Sequence, residues 1–175
     1  MAISLERVFP KEESSDLRGT GVNTPHFCQS IRAHRLARNL STHGFCGSLI
    51  EGYSLSFEDA LALGVDMSGS VIVCAVDNNP CRIAVSTYYR ELQIPVIFTA
   101  VSADARHGYV FVQEPGKACF GCLFTDAVND ETYPCPGTPA VKDILKVVGG
   151  LVSYAVDTLL MDRLRLWTYM SLSHY

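Results

Sequence analysis

The sequence has no excess of positive charge and no concentrated basic face. Its 175 residues include 14 lysines and arginines against 18 aspartates and glutamates, which gives a formal net charge of −4. A protein that binds a nucleic-acid backbone needs clustered positive charge, so this composition argues against that function. The one arginine-rich stretch, residues 31–40, has the spacing of a solvated helix surface.

The chain also lacks an uncharged apolar run long enough to cross a membrane. Its most apolar long segment, residues 141–161, contains two lysines and two aspartates and is therefore predicted to be a core helix. The first residues, MAISLERVFPKEESSD, show no apolar stretch typical of a secretory signal. With seven cysteines, an odd number, we expect a cytoplasmic protein whose thiols are mostly reduced.

The overall composition, with 48% hydrophobic and 18% charged residues, is typical of a folded globular protein. The length suits one domain with a sizeable core. We predict a single domain over residues 1–175, with an irregular N-terminal segment at 1–23 and an α/β body at 24–175.

Apolar periodicity and capping residues predict an alternation of helices and strands. A weak strand is predicted at 46–53, and the segment 108–114 is expected near an edge of the sheet. Continuous β-branched runs such as SVIVCAV (70–76) are typical of strands buried on both faces. The succession predicts a Rossmann-like three-layer α/β domain with a mostly parallel sheet. Helices are predicted near 25–42, 57–63, 80–92 and 140–161, and strands at 70–76, 95–101, 108–114 and 163–172.

The buried run 70–76 ends abruptly on Asp77, Asn78, Asn79 and Pro80. Ligands of open α/β sheets bind beyond the carboxyl ends of the strands, where Asp77 could hold Mg²⁺ through a water or accept a ligand hydrogen bond. Alternatively, Asp77 and Asn78 simply cap the helix that starts at Pro80, with Asn79 as a further capping candidate. The residues leave both interpretations open.

The wider sequence resembles the ThiF/MoeB/HesA family of ubiquitin-activating-like adenylating enzymes. The resemblance covers about residues 70–172, and a weaker similarity extends over residues 21–50. It depends on a combination of features: Asp-Asn at a strand end, a helix leading to IPVI, a strand turning into C-x-x-C, and a cysteine-containing loop before a glycine-containing long helix. The segments are AVDNNPCRIAVSTYYRELQIPVIFTAVS, GYVFVQEPGKACFGCLF and PCPGTPAVKDILKVVGGLVSYAVDTLL.

This resemblance implies ATP- and Mg²⁺-dependent adenylation of the C-terminal carboxylate of a ubiquitin-like or sulfur-carrier protein. Asp77 matches the family's Mg²⁺- or adenylate-contacting aspartate, and Asn78 matches its neighbour. The position of a phosphate-contacting lysine is occupied here by Arg32 or Arg35. Cys135 stands in the loop where members that form a thioester or persulfide place their reactive cysteine, and a structural loop cysteine is the alternative.

Cys119 and Cys122 form a C-x-x-C pair, which in the family supplies half of a zinc site. No cysteine follows residue 135, so the second half is missing and two thiolates do not complete tetrahedral zinc. A redox pair is a second interpretation, and a pair of buried, reduced thiols is the third.

The sequence contains no G-x-G-x-x-G loop, which in the family cradles the nucleotide phosphates. Its only candidate is Gly19-Thr20-Gly21, where Thr24 replaces the third glycine. The domain is therefore predicted to be truncated at its nucleotide-binding half, with one edge of the strand that ends at Asp77 left unpaired. Residues 1–23, a second copy in a homodimer, or a partner subunit would cover that edge.

Three functions follow as expectations: an adenylating subunit that works with a partner chain, a non-catalytic scaffold, and a thiol-redox or metal-handling protein. Because the glycine loop is missing, the sequence leaves open whether the chain is itself an enzyme.

Overall fold

The computed structural model describes residues 34–35, 37–39, 50–102, 105–129 and 142–173. They belong to two compact units, within residues 1–69 and 70–175, and each is described by itself. The predicted irregular segment 1–23 lies outside the described residues. The prediction of a single domain stays a prediction.

In the first unit, residues 34–35 and 37–39 are helical, as expected for a helix near 25–42. Of the predicted strand 46–53 the structure describes residues 50–53, where Ile50 forms a bridge and residues 51–53 are irregular. Helix α1, Phe57–Ala62, begins at Ser56, whose hydroxyl accepts a hydrogen bond of 3.0 Å from the Asp59 N–H. After its C-cap the chain turns through Gly64 at φ +68°, a conformation that a side chain disfavours.

The described part of the second unit runs in the order strand, helix, strand, strand, helix, helix, strand. A short 3₁₀ helix, Thr125–Asn129, follows the second of these helices. Most predicted elements are confirmed to within one or two residues, but the first strand and the last are shorter than predicted. The bounds are Ile72–Cys74 (β1), Asn79–Glu91 (α2), Val96–Val101 (β2), His107–Gln113 (β3), Phe120–Leu123 (α3), Lys142–Leu160 (α4) and Tyr169–Ser173 (β4).

The four strands form one sheet in the order β1-β2-β3-β4. β1 and β2 are parallel, and the pairings of β2 with β3 and of β3 with β4 are antiparallel. The expectation of a mostly parallel sheet is therefore wrong for the described strands. The reason lies in the connection after β2: residues 102–106 are too few for the crossover that a parallel neighbour requires. β3 lies next to β4, which is at one edge of the described sheet, in agreement with the expectation that segment 108–114 lies near an edge.

Alternation along β2 and β3 divides their side chains between two faces, each covered by helix. Ile97, Val110 and Val112 pack on one face against Val148 and Ala155 of α4. The opposite face carries Phe98, Tyr109, Phe111 and Gln113, which meet α2 and α3. The Rossmann-like three-layer α/β architecture predicted from the sequence is therefore confirmed.

Helix α2 packs on the sheet through an unexpected stripe of residues. The apolar residues of the predicted helix 80–92 favour Ile83, Ala84 and Leu92 as its inward face, but Ile83 and Ala84 are only half-buried and Leu92 is exposed. That expectation is wrong because two polar residues, Arg82 and Ser86, occupy buried positions one turn apart and form hydrogen bonds there. The buried positions are Cys81, Arg82, Val85, Ser86 and Tyr89.

None of the described helices combines the length and the apolar character needed to cross a bilayer.

The contact between α4 and β3 depends on a glycine. A Cβ built on Gly108 would lie 2.8 Å from Cγ2 of Val148 and 3.4 Å from the carbonyl oxygen of Ala100. The first distance is well inside van der Waals contact, so the helix can approach the strand this closely only because no side chain intervenes.

We expect Gly108→Ala to lower the free energy of unfolding by about 1–3 kcal/mol, because the added methyl group overpacks the α4 contact. Gly149→Ala is the matched control: it lies in α4 with no atom near the new Cβ and should stabilise by about 0.5–1 kcal/mol. Urea unfolding measures both. Adding Val148→Ala should recover part of the Gly108→Ala loss, and a fully stable Gly108→Ala protein would contradict the packing argument.

Candidate functional site

The carboxyl ends of β1 and β2 and the start of α2 meet at one edge of the sheet. Asp77 follows β1 and its side chain is exposed. Asn78 is the N-cap of α2, and its side-chain oxygen accepts a hydrogen bond of 2.8 Å from the Cys81 N–H. The capping role is therefore taken by Asn78, which leaves the Asp77 carboxylate accessible at the strand end.

Arg82 is a buried cation one turn into α2, with only 8% of its surface exposed. Its Nη2 donates to the carbonyl of Val76, and its Nη1 donates to Oδ1 of Asn79 at 2.6 Å. These bonds tie the end of β1 to the first turn of α2.

The charge of Arg82 is incompletely satisfied. Within the described part of the chain, its Nε is buried without a hydrogen-bond partner, and no carboxylate forms an ion pair with it. A buried guanidinium without a counter-anion is unfavourable, and an anionic ligand would offset the cost.

Arg82 lines a cavity of about 380 Å³ at this edge of the sheet. Asn79 forms part of the same wall, and Tyr109, which pairs with Ala100 near the carboxyl end of β2, forms another part. The other lining residues come from α3 and the 3₁₀ helix. They are Phe120, Leu123, Phe124, Thr125, Asp126 and Ala127.

Tyr109 keeps its proton in this environment. Burial raises the pKa of the Tyr109 phenol, and the nearby positive charge of Arg82 only partly opposes that effect. A neutral phenol donates a hydrogen bond, so the cavity combines a cation, a hydroxyl donor and apolar walls. Among the lining residues that the structure describes, Asp126 is the single carboxylate.

A buried polar network fixes the position of α3. The Ser86 hydroxyl donates to Oε1 of Gln113 at 2.6 Å, and Nε2 of Gln113 donates to the Ser86 carbonyl at 3.0 Å. The N–H of Phe120 donates to the same Gln113 oxygen at 3.0 Å. One glutamine on β3 therefore joins α2 to the first residue of α3.

Aromatic packing holds the rest of α3 on the sheet. The ring of Phe120 lies 4.8 Å from that of Phe98 and 4.6 Å from that of Phe124, measured between centroids. Tyr109 lies 5.0 Å from Phe124. The wall of the cavity is thus a continuation of the core, which makes it preformed.

The two cysteines of the C-x-x-C motif lie at the start of α3. Cys119 is the N-cap and is half-buried, Cys122 is exposed, and their sulfur atoms are 2.9 Å apart. The expectation of a buried pair is therefore wrong for Cys122, because the four-residue helix turns this side chain outward while Phe120 takes the core position.

Of the other predicted site residues, Arg35 is exposed in the first unit. Arg32 and Cys135 lie outside the described residues. Asp77 and Asn78 lie together at the strand end, whereas Cys119 and Cys122 lie on α3. Their functional roles stay predictions.

Sequence reasoning missed Arg82 and Tyr109. A signal for Arg82 was present, since position 82 falls on the same helical face as positions 85, 86 and 89, which are buried. An arginine in such a stripe indicates a buried charge. Tyr109 gave no comparable signal, because its place in the cavity depends on how β3 reverses against β2.

Comparison with solved structures gives E. coli MccB as a similar fold. The match has a TM-score of 0.52 and 16% identity for the crystal structure with succinimide, 0.53 and 15% for that with selenomethionine MccA, and 0.53 and 14% for MccB by itself. Each match covers 70% of this chain but only 38% of MccB. At such identities the likeness shows the fold alone. No family model and no curated protein sequence matches the chain.

We expect Ser86→Ala to lower the free energy of unfolding by about 1–2 kcal/mol, because it removes the buried donor to Gln113 that helps to fix α3. Thr87→Ala is the matched control, one residue further along α2 on its exposed side, and should change stability by less than about 0.5 kcal/mol. Urea unfolding compares the two. Equal effects would show that the network does not stabilise the fold.

Proposed function

We propose that this chain is a ThiF-type activating-enzyme-like domain that takes part in adenylating the C-terminal carboxylate of a ubiquitin-like or sulfur-carrier protein. In this proposal the phosphate-binding loop comes from outside this sequence. The observation that carries the proposal is Arg82, which is buried in a preformed cavity at the edge where Asp77 lies and has no carboxylate partner among the residues that the structure describes.

The chemistry of that cavity suits the end of a peptide chain. A C-terminal carboxylate is an anion that a guanidinium binds well, and Tyr109 adds a hydrogen-bond donor. Phe120, Leu123 and Phe124 supply apolar walls for the residues before the carboxylate. A volume of about 380 Å³ lies in the range of small-ligand sites and admits a chain end, not a folded domain.

The fold comparison supports the same class of function. E. coli MccB is a ThiF/MoeB-like adenylating enzyme, and one of its structures contains the peptide partner MccA. The match covers 38% of MccB. Both the activity and the partner of this chain are therefore proposals, based on the similarity of fold and on the chemistry of the cavity.

The fit of the residues to ATP and Mg²⁺ is partial. Asp77 offers one accessible oxygen ligand, which suits a hydrated Mg²⁺. Within the described residues, however, no three side chains of the kinds that bind metal are grouped together, and the sequence contains no G-x-G-x-x-G loop for the phosphates. The chain on its own therefore does not fit the nucleotide, and we assign it the carboxylate end of the reaction.

A non-catalytic scaffold is the second candidate. It is favoured by the missing glycine loop and by the place of β1, which in the described sheet pairs with β2 alone and so has one free edge. A partner subunit could pair with that edge whether or not adenylation follows. The two functions differ in whether Arg82 binds a carboxylate.

We expect the chain to bind tetra-alanine with a free carboxyl terminus at least about tenfold more tightly than the C-terminally amidated peptide, because only the carboxylate can pair with Arg82. Arg82→Gln should remove this preference. Arg90→Gln is the matched control, since it removes the same charge from an exposed position on the same helix. Isothermal titration measures the affinity of the unchanged chain and of both variants for each of the two peptides.

Equal affinity for the two peptides, or an unchanged preference in Arg82→Gln, would rule out the carboxylate site and leave the scaffold function. Because Arg82 also ties β1 to α2, urea unfolding of the variant at the titration temperature must first show that it is folded.

We further expect calorimetric titration of the isolated chain with ATP·Mg²⁺ to give no heat of binding, because the chain lacks a loop for the phosphates. Light scattering on the same sample reports whether the chain is a monomer or a dimer. Micromolar binding by a monomer would contradict the requirement for a loop from elsewhere.

A further inference from the structure

The C-x-x-C pair lies outside the cavity wall and is held in an arrangement that the proposed function does not use. Cys119 precedes the first helical residue of α3 and Cys122 is the third residue of that helix, with 2.9 Å between their sulfur atoms. The N–H of Cys122 donates to the Cys119 carbonyl at 3.1 Å, which closes the turn between them. The pair is therefore positioned by backbone structure, not by chance contact of two mobile side chains.

That turn is itself anchored in the core. Phe120, between the two cysteines, is buried, and its N–H is bonded to Gln113. The folded state therefore keeps the two thiols adjacent, which favours a ring-closing reaction between them over reaction with separate molecules.

The two sulfurs differ in accessibility. Cys122 is exposed, whereas Cys119 is half-buried. The Cys122 side chain forms a hydrogen bond with the Cys119 side chain, and this bond lowers the pKa of the Cys122 thiol. The positive charge of Arg90 contributes in the same direction. By contrast, burial raises the pKa of the Cys74 thiol to about 12. Cys122 is thus suited to attack, and Cys119 to act as the second, resolving thiol.

We propose that Cys119 and Cys122 form a redox-active dithiol that undergoes thiol–disulfide exchange with low-molecular-weight disulfides of the glutathione class. The Cys122 thiolate attacks one sulfur of the small disulfide, so that a mixed disulfide forms and one small thiol leaves after taking up a proton. Cys119 then loses its proton and attacks Sγ of Cys122, which releases the second small thiol. The protein dithiol is oxidised to a disulfide and the small disulfide is reduced to two thiols.

Zinc binding is the competing use of the same two sulfurs. It requires further ligands, and the described residues contain no group of three metal-ligating side chains that includes them. The proposal does not depend on the adenylation-related function, because neither sulfur lines the cavity.

The test is incubation of the folded chain in glutathione buffers that range from reduced to oxidised, followed by acid quenching and N-ethylmaleimide labelling under denaturing conditions. Digestion after Lys117 and before Asp126 gives the peptide 118–125, which contains only these two cysteines. We expect this peptide to lose two hydrogens and to take up no label as the buffer becomes oxidising. Buried Cys74 should remain fully labelled in the same sample.

Single variants identify the order of attack. Cys119→Ser should stop at the first step and accumulate one glutathione on Cys122. Cys122→Ser should form a mixed disulfide at Cys119 about tenfold more slowly, because that thiol is less accessible. Cys135→Ser is the matched control and should leave the oxidation of peptide 118–125 unchanged.

Three results would overturn the proposal. The first is a peptide 118–125 that stays doubly labelled in fully oxidised glutathione, and the second is equal rates for the two single variants. The third is a purified protein that contains one equivalent of zinc and whose two thiols become reactive only after chelation. Circular dichroism of each variant checks that the substitution leaves the fold intact.

Discussion

The burial of one arginine constrains the edge of the sheet where β1 ends. Arg82 reaches back from α2 to the carbonyl of Val76 and sideways to Asn79, so that the strand end and the helix start cannot move apart without breaking bonds to a buried charge. The same burial leaves Nε without a partner in the described part of the chain. Arg82 thus stabilises the fold through two of its nitrogens and keeps a third without a hydrogen bond in that part of the chain. Buried polar groups of this kind are found at binding sites, where local stability is given up for ligand recognition.

The cavity is rigid because its far wall is part of the core. Gln113 and Ser86 fix the first residue of α3, and stacked phenylalanines hold the remainder of that short helix on the sheet. A four-residue helix has no stability of its own, so its position depends entirely on these tertiary contacts. This dependence links the two proposals structurally: one anchored turn presents Phe120 and Phe124 to the cavity and the two cysteines of the C-x-x-C motif to one another. A ligand in the cavity and a disulfide in the turn would therefore act on the same element.

Much of this arrangement could be predicted from the sequence. Apart from α3 and the 3₁₀ helix, which were not predicted, the order of helices and strands after residue 50 follows from apolar periodicity. The starts of α1 and α2 follow from Ser56 and from the Asn-Asn-Pro run. The strand end before Asp77 was predicted from the sequence, and the cavity lined by Arg82 lies at the same edge of the sheet. Strand direction was not predicted correctly, although the shortness of residues 102–106 contained the information. The inward face of α2 was also missed, because the apolar residues Ile83, Ala84 and Leu92 were chosen in place of the stripe that contains Arg82 and Ser86.

The sequence by itself determined the local elements, the layered class and the carboxylate at a strand end, because periodicity and capping act over distances of a few residues. Only the tertiary structure decided that Arg82 is buried without a carboxylate partner among the described residues, that Tyr109 and α3 close a cavity around it, and that Cys122 lies at the surface beside Cys119. Each of these depends on contacts between segments far apart in the chain, such as Ser86 with Gln113. Local patterns carry no information about such contacts, because burial and pairing of a side chain are properties of its neighbours in space.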